Sequence, residues 1–236
     1  MALVDPGVTD TLAEVLSAGN SSGGTDISMT AGDDIVTASA GTGNLRLGSG
    51  AGAAIASGGN NNVAVGTNAL AANTTVSDNT AVGSYSLDAT TTGANNVAVG
   101  SAAMGSNTTG ASNTAVGKNS LVANTSGDYN VAVGATALDA NTTGGSNTAV
   151  GMNALTSNTT GTTNVAVGRV ALEDATTAVG NTAVGYGAAR NTTTGASNVA
   201  LGYLALDTNT TGGNNVAVGF GALDANTTAS NNTAVG

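Results

Sequence analysis

Cysteine, histidine and tryptophan are absent from this chain, and one proline and one phenylalanine are all it has of those types in 236 residues. Without cysteine there is no disulfide framework and no thiolate metal site. Without histidine, the usual zinc ligands and the commonest acid–base catalyst are missing. The scattered carboxylates form no nucleophile–base pair, so the sequence does not read as an enzyme. Charge is scarce, with 8% of residues ionisable against about 25% in ordinary soluble domains. The only basic side chains are Arg46, Lys118, Arg169 and Arg190, and the net charge is −10. Nucleic-acid binding needs clustered cations, so that partner is excluded. No run approaches 18 apolar residues, so no segment reads as a membrane-inserted helix. The opening stretch MALVDPGVTDTLAEVL lacks the basic and apolar regions of a signal peptide, which places synthesis in the cytosol if Met1 is the native start.

What the chain has in quantity is glycine, 36 residues of it, together with alanine, valine, asparagine and threonine. Such a composition resembles a linker, but a linker has no reason to keep a period. Here the glycine of each "AVG" or "ALG" falls at Gly66, Gly83, Gly100, Gly117, Gly134, Gly151, Gly168, Gly185, Gly202, Gly219 and Gly236, always seventeen apart. The unit reads approximately N-[V/T]-A-V-G-x-x-A-L-x-x-N-T-T-G-x-x. Asparagine stands four places before each of these glycines, as at Asn62, Asn130 and Asn215. Leucine or methionine stands four places after, as at Leu70, Leu138 and Leu223, with Ala189 the one departure.

A strict period with one short apolar run per unit is the mark of a solenoid. So short a unit has no room for a helix pair, and Asn, Gly and Thr-Thr are poor helix formers. The reading is therefore all-β: a parallel β-roll, or β-solenoid, with 17-residue coils of two short strands each. Strand alternation groups Val63 with Val65, Val131 with Val133, and Val216 with Val218. These pairs are expected to face the interior with Leu70, Leu138 and Leu223, the last group coming from the second strand. Gly66, Gly134 and Gly219 would close the first strand, and "NTTG" would supply turn chemistry. Ala132 and its equivalents would then point outward. One leucine and two valines per coil form a thin core set against the entropy cost of ordering a whole coil. Small outward alanines would let neighbouring chains approach closely, so an oligomer is expected.

The repeats "NNVAVG", "SNTAVG" and "NVAVGRVAL" resemble the short repeat of trimeric autotransporter adhesin heads, in which each chain forms a parallel β-roll and three rolls pack together. The longer unit "NTAVGMNALTSNTTG", residues 147–161, is more similar to repeats of bacteriophage tail-fibre and related virion proteins. The resemblance covers residues 61–236. It implies a homotrimeric fibre of a phage virion, assembled in the host cytoplasm, whose work is to project a distal host-receptor-binding end. The alternative it implies is a bacterial trimeric surface adhesin head mediating attachment. The array breaks off at Gly236 in mid-repeat, so the chain is expected to continue into the distal region that meets the receptor.

Residues 1–60 lie outside the period. A capping box at Thr11–Glu14 opens a helix of about two turns, and "DISMT", "DDIVTAS" and "NLRLG" alternate as short strands capping the roll. "LAEVLSAGNSSGGTDISM" resembles entry segments of some phage fibre proteins, which implies attachment to virion tail or neck proteins through residues 1–60.

In a roll with strict register, equivalent residues stack into columns. The Asn62 column is expected to form an amide ladder. Glu173, Arg190 and Asp207 would form an acid–base–acid charge ladder on adjacent coils. Asp207 and Asp224 are too few for a calcium site without a recognisable loop motif, so no metal or cofactor is expected. The sequons at Asn107 and Asn141 read as turns. The doubled threonines are not an ice-binding face, because adjacent strand residues point to opposite sides.

Overall fold

A computed structural model describes residues 41–236. The expected helix near Thr11–Glu14 and the strands at "DISMT" and "DDIVTAS" lie outside those residues. Within them the fold is an all-β parallel solenoid. Each coil carries one three-residue strand, from β1 (Leu45–Leu47) and β2 (Val63–Val65) through β6 (Val131–Val133) to β12 (Thr233–Val235). The twelve strands form one parallel sheet in sequential order. From β2 onward, every strand residue pairs with its equivalent one repeat later: Val131 with Thr148, Ala132 with Ala149, Val133 with Val150. The first step is longer by one position, Leu45 pairing with Val63. Eleven such steps give a rod of about 53 Å, at ~4.8 Å per strand spacing.

The inside and outside of the sheet are the reverse of the expected arrangement. Ala64, Ala81, Ala98, Ala132 and Ala217 have no exposed surface. Val63, Val65, Val133, Val216 and Val218 are only half-buried, and Val131 is 36% exposed. The reason is the small cross-section of a 17-residue coil. Its interior is already filled by one leucine, two alanines and two asparagines: Leu138, Ala132, Ala137, Asn130 and Asn141 in one coil, all fully buried. Two further valines would overfill that space. The narrow alanine therefore turns inward and the β-branched pair faces out.

The expected second strand is also replaced. Leu70, Leu121 and Leu138 do reach the interior, but from a run of turns rather than from a strand. Leu223, near the end of the array, is half-buried against the same core. Leu121 has φ +54° and Asn119 has φ +57°, so left-handed residues alternate along the run. Left-handed backbone costs a bulky residue about 1–2 kcal/mol. Two gains offset it: the leucine side chain is buried completely, and the backbone still bonds across coils. Asn119 N–H donates back to Ser101 O at 3.0 Å, while Leu121 N–H donates forward to Ala137 O at 2.9 Å. Alternation of direction ties each coil to both neighbours.

The column glycine has a separate reason. At Gly134 φ is +137°, and an added Cβ would lie 2.5 Å from Gly151 O. No side chain fits where one coil's backbone rests on the next.

The first coil departs from the pattern at the inward alanine. Arg46 occupies that register, opposite Ala64, and its Nε donates to Ala51 O at 3.0 Å. Ile55 is buried in the same coil. These larger groups fill the first layer in place of alanine.

Candidate interaction surfaces and the ladders behind them

Two asparagine columns run through the interior. The first contains Asn44, Asn62, Asn79 and so on through Asn130 and Asn215 to Asn232. Each side-chain Oδ1 accepts the backbone N–H of the next asparagine at 2.8–3.0 Å. Along the column Nδ2 donates to a carbonyl near the end of the same coil, as Asn96 does to Gly110 O at 2.9 Å and Asn130 to Gly144 O at 2.9 Å. The side-chain amide thus stands in for a peptide group where the main chain bends away from its neighbour. Several members also donate Nδ2 to the preceding Oδ1, as Asn147 does to Asn130 at 3.2 Å.

The second column is the asparagine of "NTT". Asn124 donates to Asn107 Oδ1 at 2.8 Å, Asn141 to Asn124 at 2.9 Å and Asn158 to Asn141 at 2.8 Å. The same amides donate to the carbonyl three places on, as Asn107 does to Gly110 O at 2.9 Å. Gly110 O therefore receives one bond from each column, and Gly127, Gly144, Gly161 and Gly212 repeat the junction. Reading "NTTG" as local turn chemistry missed this. Its signal in the sequence was the asparagine's own 17-residue period. Asn107 and Asn141 are fully buried, so neither sequon is open to modification in the folded chain.

The second column has gaps. Ala175 stands where an asparagine is due, and Asn158 Oδ1 is left buried without a hydrogen-bond partner. Thr90 and Thr192 stand at two other positions of this column. Thr192 Oγ1 accepts from Asn209 at 3.4 Å, whereas Thr90 Oγ1 is buried and unpartnered. Next to the asparagine column runs a threonine column, whose hydroxyls donate to the next coil's carbonyl, as Thr125 does to Thr142 O at 3.0 Å.

Three features face solvent. The first is the outer side of the sheet, two columns wide. From Val63 to Thr233 one column alternates Val and Thr, with the single repeat Val199–Val216. From Val65 to Val235 the other is valine throughout except for Leu201. Val97, Val99, Val116, Val131, Val184 and Leu201 are each 36–39% exposed.

The second is the charge ladder, of which two members meet. Arg190 Nη2 donates to Asp207 Oδ2 at 3.1 Å, and Nε lies 3.1 Å from Oδ1 without a straight hydrogen bond to it. Glu173 does not join them; this is the one ion pair among the described residues. A partly exposed pair of this kind contributes about 0.2–1 kcal/mol. Among the described residues no group of three acidic, histidine or cysteine side chains is placed to hold a metal ion. Burial pushes the Asp88 carboxyl above its ordinary value, against the opposing effect of the Asp88 and Ala89 backbone N–H groups.

The third feature lies directly after the column glycine in the later coils. Tyr186 stacks on Tyr203 with ring centroids 5.2 Å apart, and Tyr203 on Phe220 at 5.3 Å, the planes within 13° and 3°. The guanidinium of Arg169 sits 5.8 Å from the Tyr186 centroid. Comparison with protein-family models, curated proteins and solved structures found no match, so the fold and its surfaces are the evidence on which function rests.

Proposed function

We propose that the chain is a shaft segment of a homotrimeric structural fibre, with no catalytic role. The observation that carries this reading is the outer side of the sheet. Two columns of mainly β-branched residues on twelve strands make a continuous strip, roughly 53 Å by 7 Å, or about 370 Å² in plan. That is the size of the largest apolar patch on a typical monomer, and such patches are where partners bind. Its width is nearly constant from coil to coil, because Val and Thr are near-isosteric. Constant width is what a second rod of the same sequence needs in order to pack along its length. The outward valines, in place of the outward alanines expected, are the surface on which copies would pack.

Within this reading the fibre belongs to a bacteriophage virion, attached to tail or neck proteins through residues 1–60 and carrying a host-receptor-binding region at its far end. The similarity of the repeat units to those of virion fibres supports that choice over a bacterial adhesin. Light scattering after size exclusion tests the assembly. The expected mass is three times 22.1 kDa. Val131→Lys with Val133→Lys, placed on the outer strip, is expected to shift the mass towards the monomer and leave the far-ultraviolet dichroism unchanged. A wild-type mass of 22.1 kDa would overturn the proposal.

A further inference from the structure

The column that follows the glycine changes character along the rod. Its members vary in size without order, from Ser84, Ser101 and Ala135 to Lys118 and Met152, before the run of Tyr186, Tyr203 and Phe220. Parallel rods in lateral contact keep a fixed spacing, and a contact column cannot swing from serine to tyrosine without voids or clashes. This column is therefore free of copy-to-copy packing, and its aromatic part is an exposed surface in its own right. Tyr186 is 37% exposed, Tyr203 47% and Phe220 77%.

The way the rings stack decides what they can bind. Their faces are used on one another, and Arg169 lies over the outer face of Tyr186. A ligand that stacks face to face has no room among them; the outward edges remain, together with the far face of Phe220 at the end of the ladder. Beside those edges runs the half-buried strip of Gly185, Gly202 and Gly219, which carries no side chains. Val184 and Leu201, two positions back along the chain, belong to the outer strip that the trimer would cover, so the track ends at the glycines. The result is an apolar track parallel to the rod axis, with rings repeating every 5.2–5.3 Å. Ring edges are the positive rim of the aromatic quadrupole and favour the face of an electron-rich ring laid across them. The chain's net charge of −10 draws cations toward it at low ionic strength.

We propose that the Tyr186–Tyr203–Phe220 ladder binds an elongated, flat, conjugated aromatic cation lying along the rod axis. The proposal does not rest on trimer formation, because the track lies within one chain. Thioflavin T, a rod-shaped aromatic cation with an electron-rich aniline ring, is the probe, and equilibrium dialysis at low salt is the measurement. The expected result is one saturable site per chain. Tyr203→Ser, which breaks the ladder at its centre, should weaken binding about tenfold, and Tyr186→Ser/Tyr203→Ser/Phe220→Ser should abolish it. Serine already occupies this column at Ser84 and Ser101, so these variants keep the coil, and Tyr203→Ser alone still reads the site. Tyr129→Ser removes an exposed but isolated ring, 67% exposed, and should leave binding unchanged. Equal binding by wild type and the triple variant, no binding by wild type, or equal binding of the anionic dye Congo red would each overturn the proposal.

Discussion

Ala175 and Ala178 show how tightly neighbouring positions of a coil depend on each other. Where an asparagine precedes the turn, the residue three places on is usually glycine, because an added Cβ at Gly161 would collide with Asn158 Oδ1. The coil that has Ala175 has Ala178 as well, and Asn158 loses its partner there. Ala175→Asn alone should be admitted only with a shifted amide, as where Asn73 stands before Val76 and Asn226 before Ala229, and Ala178→Gly alone should lose about 0.4–1 kcal/mol through the unfolded state. Together they should fill the gap in the column and favour each other by about 1–2 kcal/mol, read as the coupling term of a double-mutant cycle in urea.

Asp88 supplies the second residue-scale expectation. A carboxyl whose native pKa is raised holds its proton more tightly in the folded state than in the unfolded one. Its contribution to stability is greatest below the ordinary value of 3.8 and declines as pH rises from there through the raised native value. Asp88→Asn should remove that decline, so urea midpoints of the two proteins should converge in acid and separate toward neutral pH, the variant lying higher. The comparison isolates Asp88 from the general relief of negative charge in acid, which both proteins share.

At the scale of the element, the coil is the unit of construction, and it is held chiefly by bonds to the coils on either side. Deleting one whole coil, residues 118–134, brings Gly117 and Ala135 together and leaves every column in register. It should give a shorter protein with the same dichroism per residue and a cooperative thermal transition. Deleting 118–133 instead leaves one coil of eighteen residues, the length of the first step from Leu45 to Val63; that protein should keep the sheet but melt at a lower temperature than the 118–134 deletion. Circular dichroism with thermal melts separates the two outcomes.

The coil is also where sequence reading succeeded and where it stopped. The period, the parallel sheet and the burial of Leu70 and Leu138 all follow from spacing. The sense of the strand did not, because alternation groups Val131 with Val133 without saying which side is inside. Hydrophobicity favours valine inside; volume favours alanine, and in so narrow a coil volume decides. The turn that replaces the second strand was hidden for a similar reason. Leu121 at φ +54° runs against its own backbone preference, and the burial of its side chain and the bonds to neighbouring coils hold it there. Of the surfaces, the Arg190–Asp207 pair was legible from spacing, while the Tyr186–Tyr203–Phe220 stack sits in a column whose other members range from Ser84 to Lys118 and Met152.

At the scale of the whole molecule, the described residues form a rod whose layers are nearly alike, so its stability is a sum of similar neighbour-to-neighbour terms. Its outer valine strip is the side we propose for packing against other copies, and the aromatic ladder marks one stretch of another column. A layered body with one uniform side and one locally distinct stretch is consistent with the proposed shaft, bundled along its length and engaged at a particular height.

The two asparagine columns, which meet at the carbonyls of Gly110, Gly127, Gly144, Gly161 and Gly212, have a mechanical meaning. Most of these bonds lie along the axis and join successive layers, so a tension applied to the chain ends reaches them a layer at a time, beginning at the outermost. A single molecule stretched by its ends should yield in a regular series of force peaks. Each peak should release one coil, a gain in contour length of about 50–56 Å after subtracting the layer spacing. The rod would then act as a shock absorber with equal steps, taking up load one turn at a time and recoiling onto the layer still standing.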